Sequence, residues 1–363
     1  MNLTAIDKNF ATENVTEEDV EWHEITEPEF AIYGVYFDPE QDCYVRFPNQ
    51  VAKQVSDRIE ELNRYTAGGR IRFSTDSPYI AVKAVMRNVG IMRHQPIVGH
   101  YGFSLYLNNK YYTMFCPSYT SISYDTTKDV EYDEVKYVGN YFTNQGDMYD
   151  YTMFMPCYGG VKKLYIGLKA GSTIKKHPPY KFEKPVAYYG SSITQGGVAS
   201  RAGNEYQGHI SRWLDTNYFT FGFSGRAKGE QVMADYFASL DASIFVIDYD
   251  YNAPDPEHLM ATHFNFYKTV RDKNPDTPIV MITRPNYGRL RTDEERRLIV
   301  EATYKTALEN GDKNVYFIDG RTLFGDVDAD ACTVDGVHPN DLGFYRMAQA
   351  ISPTLDKILN KKD

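Results

Sequence analysis

Polar and apolar residues alternate with period two through 70–75, 79–86, 103–107 and 163–168. Side chains two apart share one face of a strand, so each run reads as a strand with one buried face. Turn formers stand between them: Thr75-Asp76-Ser77-Pro78, Asn108-Asn109, Gly159-Gly160 and Ala170-Gly171-Ser172. One short helix is expected over 51–62. Many short strands punctuated by turns predict a jelly-roll-like β-sandwich for the first half.

The pattern changes after 176–185, where Pro178, Pro179 and Pro185 interrupt both strand and helix. This segment is taken as the boundary between a first domain, 1–178, and a second, 179–363. Beyond it, short apolar runs at 185–190, 218–222, 243–249, 278–283 and 314–319 read as strands. Helices are expected between and after them, at 204–214, 229–240, 257–273, 292–310 and 342–359. Strands that are apolar throughout, alternating with helices, imply a parallel sheet covered on both faces. The expected fold of the second half is a three-layer α/β/α domain of flavodoxin-like type.

A chain of 363 residues exceeds one ordinary domain, and its 42% apolar content suffices for two cores. No run reaches the roughly 18–20 apolar residues of a membrane span. Residues 1–10 carry neither a basic nor an apolar leader region. The expectation is a cytoplasmic protein, or a secreted one whose leader was trimmed. A net charge of −10 argues against nucleic acid or an anionic membrane as partner. Cys43, Cys116, Cys157 and Cys332 form no C-x-x-C pair or zinc spacing, and read as thiols. His23, His94, His100, His177, His209, His258 and His263 give no metal pattern. No metal and no cofactor are expected. The 31 tyrosines suit sandwich cores and also carbohydrate surfaces.

Candidate chemistry falls at the carboxyl ends of the expected strands, where open parallel sheets bind ligands. Asp335 precedes His338 by three residues. On a turn its carboxylate can accept the ring's Nδ1–H, leaving Nε2 as a base. The nucleophile to match is Ser192, in Gly190-Ser191-Ser192-Ile193-Thr194. By itself that run also reads as a helix N-cap. Gly225 offers a backbone N–H, and Asn252 an amide N–H, toward a tetrahedral oxyanion. Alternatively, Gly225 serves a positive-φ turn and Asn252 an Asx-turn. Arg284 is a candidate substrate contact or a structural ion pair. Arg201 and Glu205 would shape the mouth of the site or open a solvated helix.

These residues resemble the motifs of the SGNH, or GDSL-type, hydrolases. Gly190 to Thr194 looks like their first block, with Ser191 where Asp is usual. Ser224-Gly225 looks like the second, and Asp335-Gly336-Val337-His338-Pro339 like the fifth. Asp250-Tyr251-Asn252-Ala253 stands where Gly-x-Asn-Asp is common, and only the Asn matches. The first half is similar to the sandwich of a bacterial two-domain subgroup. That similarity is carried by 67–77 and by Gly102-Phe103-Ser104-Leu105-Tyr106, with Ser104 in place of an Asp. The resemblance implies a serine esterase, often a carbohydrate deacetylase, with catalytic Ser192, Asp335 and His338. It implies an oxyanion hole from Ser192, Gly225 and Asn252, and a small acylated carbohydrate or other ester as substrate. A short-chain lipase or thioesterase, or a glycan-binding protein with an inactive hydrolase fold, are the alternatives. The sandwich would bind sugar, cap the site or build a homo-oligomer.

Overall fold

The computed structural model describes residues 14–123, 125–138 and 147–361. The leader reading over 1–10 lies outside them. The chain divides into two compact units: 1–45 with 64–179, and 46–63 with 180–363.

In the first unit the chain forms β1 (Val20–Glu24), β2 (Ala31–Tyr33), β3 (Tyr36–Asp38) and β4 (Cys43–Val45). It then supplies α1 (Asn49–Val55) and α2 (Asp57–Asn63) to the second unit. Back in the first unit it forms β5 (Arg70–Thr75), β6 (Tyr79–Arg87), the short α3 (Ile97–Tyr101), β7 (Phe103–Leu107) and β8 (Lys110–Phe115). The unit ends with β9 (Val130–Tyr137), β10 (Tyr149–Phe154), β11 (Gly160–Lys169) and β12 (Ile174–Lys175). One antiparallel sheet has the order β1-β11-β6-β9, and the other β12-β5-β10-β7-β8, with β2 on β5. Their inner faces share one core that includes Ile71, Phe73, Val82, Met86, Phe103, Leu105, Tyr151 and Ile166. This is the expected sandwich. The domain limits differ from 1–178, because 46–63 groups with the second unit. The single helix expected there is two, broken where Ser56 adopts an extended conformation.

The second unit is built on five parallel strands: β13 (Phe182–Gly190), β14 (Thr216–Gly222), β15 (Ile244–Asp248), β16 (Ile279–Ile282) and β17 (Val315–Ile318). Their order is β14-β13-β15-β16-β17, the flavodoxin-like arrangement. The strand β13 begins before Pro185, and a register shift between Phe182 and Val186 accommodates the missing N–H. The helices are α4 (Ser192–Gln195), α5 (Tyr206–Leu214), α6 (Gln231–Ala238), α7 (Pro256–Lys273), α8 (Asp293–Glu309) and α9 (Asp341–Leu359). Of these six, α4 was unforeseen, since one helical turn carries no periodicity.

Both faces of the sheet are buried, as its uniformly apolar strands require. One core gathers Ile210 from α5 and Phe344, Ile351 and Leu355 from α9 over Tyr188, Val246 and Val280. The opposite face is aromatic. Tyr189 stacks on Phe266 of α7 at 4.6 Å, and Phe237 of α6 meets Phe245 edge-on at 5.0 Å. Just before α1, Phe47 packs against Phe221, Phe223 and Tyr236. Arg46 donates to the carbonyls of Gly222 and Leu62 at 2.7 and 2.6 Å, which ties the inserted helices to the end of β14.

The end of β14 also meets α4 at very short range. A Cβ on Gly222 would lie 2.1 Å from the Gln195 nitrogen, so only glycine lets this helix rest on the strand. Gly222→Ala is expected to displace α4, cost about 1–3 kcal/mol in denaturant unfolding, and reduce ester hydrolysis by more than the folded fraction accounts for. Unchanged activity per folded molecule would contradict this.

Candidate functional site

Loops from the carboxyl ends of the five strands carry the candidate residues. At the end of β13, Ser191 caps α4: its hydroxyl accepts the N–H of Ile193 at 3.1 Å. The capping role proposed as an alternative for Ser192 therefore belongs to its neighbour. Ser192 opens the helix, 6% exposed, and its Oγ lies 3.0 Å from Nε2 of His338. The imidazole Nδ1 lies 2.8 Å from Oδ2 of Asp335. The other carboxylate oxygen, Oδ1, accepts the backbone N–H groups of His338 and Val337 at 2.8 and 2.9 Å. Partial burial works against the Asp335 charge, but these two N–H groups and the imidazole outweigh it. The carboxyl is lowered to about 2.

The loop that carries Asp335 and His338 is a small closed structure. Val334 N donates to His338 O, and Asn286 donates to the Gly336 carbonyl from the loop after β16. Immediately beyond, Asn340 caps α9 through the N–H of Gly343. A turn and a long helix start thus fix the imidazole from both sides.

At the end of β14, Gly225 has φ +67° and open space where a Cβ would stand. Gln195 of α4 accepts the N–H of Ser224 at 2.9 Å, joining this loop to the Ser192 helix. After β15, Asn252 donates one amide N–H to the Phe223 carbonyl at 2.8 Å. A primary amide carries two N–H groups, so one remains for another acceptor.

The structure gives Arg284 the ion-pair role rather than that of an open contact. It is 3% exposed, with Nη1 2.9 Å from Oδ1 of the equally buried Asp293 and its guanidinium 3.8 Å above the Tyr251 ring. None of its side-chain N–H groups points at an acceptor, so proximity of charge rather than hydrogen bonding holds the pair. Glu205 is buried rather than solvated, accepting from Gly203 N and the Tyr218 hydroxyl at 2.8 and 3.0 Å. Arg201 donates to Asn204.

Sequence reasoning missed Asp248, the last residue of β15. It is fully buried, and its Oδ2 accepts the hydroxyls of Thr194 and Tyr206 at 3.0 and 3.2 Å. Its carbonyl accepts Ser191 N at 3.3 Å. Burial, reinforced by the charge of Asp250, pushes the Asp248 carboxyl well above its usual range. The available signal was a carboxylate ending an otherwise apolar strand. Gln207 was also missed; its amide donates to the Thr194 carbonyl at 2.8 Å. Together these residues hold the single turn of α4 that presents Ser192.

Residues 183–356 match the GDSL-like lipase/acylhydrolase family. Residues 20–174 match the N-terminus of SGNH hydrolase-type esterases. No curated protein matches the chain. Among solved structures, a chain from Bacteroides ovatus described as a GDSL-like lipase superposes with TM-score 0.81 at 27% identity, covering 94% of this chain and 99% of its own. The salicylyl-acyltransferase SsfX3 from a tetracycline biosynthetic pathway gives 0.73 at 16% identity, covering 92% and 96%. The acetyl xylan esterase Est2A from the rumen bacterium Butyrivibrio proteoclasticus gives 0.62 at 14%, covering 94% and 98%.

The lowered carboxyl of Asp335 predicts a pH effect. Its charge contributes stability that is present above the unfolded value of about 4 and lost as pH falls toward about 2. The gap in melting temperature between wild type and Asp335→Asn is expected to close over that interval. A gap constant from pH 5 to pH 2 would show that the carboxylate is not held as described.

Proposed function

Because the chain belongs to the GDSL-like lipase/acylhydrolase family, we propose that it is a serine esterase that releases short acyl groups, O-acetyl above all, from carbohydrates. The observation that carries this reading is the hydrogen-bonded line from Ser192 Oγ through the His338 ring to Asp335.

In the reaction, His338 Nε2 takes the Ser192 proton as Oγ attacks the ester carbonyl. The carbonyl π pair moves onto oxygen. The backbone N–H groups of Ser192 and Gly225 and the remaining amide N–H of Asn252 are the proposed donors to that oxyanion. Asp335 stabilises the imidazolium and keeps its tautomer. When the tetrahedral species collapses, the ester C–O bond breaks. The sugar oxygen leaves with the proton from His338, and the acyl group stays on Ser192. Water then repeats the sequence: His338 takes its proton, the hydroxide oxygen attacks the acyl carbon, and Ser192 is released with its proton restored. The products are a sugar hydroxyl and a carboxylic acid.

The choice of substrate is supported by structural neighbours: the acetyl xylan esterase Est2A, and a family two carbohydrate esterase from Clostridium thermocellum in complex with cellohexaose. The likeness to a salicylyl-acyltransferase supports a second reading, in which an acceptor alcohol, in place of water, takes the acyl group. Both readings share the acyl-Ser192 intermediate. Acetate released from acetylated oligosaccharides, measured with and without added alcohol, separates them. An acyl-chain-length series separates both from a lipase or thioesterase.

Ser192→Ala is expected to reduce p-nitrophenyl acetate hydrolysis by more than about 10³-fold, with the melting temperature kept. Equal rates would end the assignment. Asp335→Asn is expected to lower kcat by about 10³–10⁴-fold, as measured on the same ester.

A further inference from the structure

The Asn252 turn is gripped from behind by a buried arginine that no sequence motif marks. Arg296 lies in the first turns of α8, 4% exposed. Its Nη1 donates to two carbonyls, Asp250 O at 2.7 Å and Ala253 O at 2.9 Å. These carbonyls bracket Tyr251 and Asn252. Its Nε donates to Thr292 Oγ1 at 3.2 Å, which fixes the rotamer from its own helix.

Other contacts leave the turn little freedom. The Asp250 carboxylate accepts the backbone N–H of Arg284 at 3.1 Å. The Arg284 guanidinium covers Tyr251, and Asn252 N donates to Tyr249 O at 2.9 Å. Arg296 alone among these partners joins both ends of the turn through one nitrogen. A planar guanidinium nitrogen with two N–H groups suits that task, because its two donors diverge toward two acceptors. A displacement of about 1 Å at a catalytic donor costs on the order of 10²-fold in rate, so a rigid turn matters more than a merely closed one.

We propose that Arg296 is a positioning residue for the reaction: it clamps the turn at 250–253 so that the Asn252 amide aims at the oxyanion. This rests on the reading of Asn252 as an oxyanion donor. Arg296 touches neither the substrate nor the reacting atoms; it acts through the backbone around Asn252. Donation to the oxyanion is needed in the transition state and not in the bound ester. Loosening the clamp therefore lowers kcat and kcat/KM together and leaves KM in place.

The experiment is a double-mutant cycle on p-nitrophenyl acetate, with active sites counted by burst titration and melting temperature recorded for each variant. Asn252→Ala is expected to lower kcat by about 10²–10³-fold. Arg296→Met is expected to lower kcat and kcat/KM by about 10–100-fold, with Arg296→Lys recovering part of the loss. In the Asn252→Ala background, Arg296→Met should change kcat per active site by less than about two-fold, because the group it positions is gone. If Arg296→Met does not fold, the same cycle is run with Arg296→Lys, which retains the charge and lacks the planar pair of donors. The clamp is overturned if the arginine substitution costs the same factor with and without Asn252, or costs nothing at native melting temperature. If Asn252→Ala leaves kcat unchanged, the donor reading fails and this inference with it.

Discussion

The order of five parallel strands is the constraint on which the second unit depends. With β13 between β14 and β15, the β13-to-β14 and β14-to-β15 connections run in opposite directions across the sheet. The chain goes to one side from β13 into β14 and returns across the sheet to β15. Such a reversal at the carboxyl ends of parallel strands is where open sheets of this kind bind ligands. Ser192 sits at that point. The Gly225 and Asn252 loops follow the two strands that flank β13.

Placing a nucleophile there creates a packing problem that the surrounding residues resolve. A four-residue helix has little stability of its own, because nucleation costs more than one turn returns. Here α4 is held by a capping serine, by Gln207, by the Asp248 carboxyl beneath Thr194, and by the glycine surface of Gly222. The carboxyl of Asp248 has two hydroxyl donors and no cation at hydrogen-bond distance among the described residues, and burial pushes it well above the usual carboxylate range. Asp335 has the opposite environment, partly exposed and fed by two backbone N–H groups and an imidazole, and it stays charged. The two acids differ in role because they differ in solvation and donors.

The arginines repeat this lesson. Arg284 and Arg296 follow β16 closely in sequence, and both are buried behind the Asn252 turn. One meets Asp293 and an aromatic face; the other meets two carbonyls. Their cost of burial is offset by neighbouring carboxylates and by backbone oxygens that would otherwise lack donors. Charge buried here serves shape.

The sequence by itself determined the two architectures, because period-two alternation and uniformly apolar strands report burial on one face or on two. It also suggested the Asp335 to His338 pairing, since a turn can bring a carboxylate back to a ring three residues on, although a turn carboxylate bonded only to nearby backbone, beside a surface His, fits the same spacing. The link from Ser192 to His338 was expected from strand positions, but 146 residues separate them, and only the folded sheet sets their 3.0 Å approach. The grouping of 46–63 with the second unit was not legible, because nothing local in Arg46 or Phe47 says which core they join. Nor did local pattern distinguish Arg284, a buried partner of Asp293, from an open contact, or reveal Asp248 and Arg296. Their roles come from hydrogen bonds between segments distant in the chain, and such bonds have no period to read.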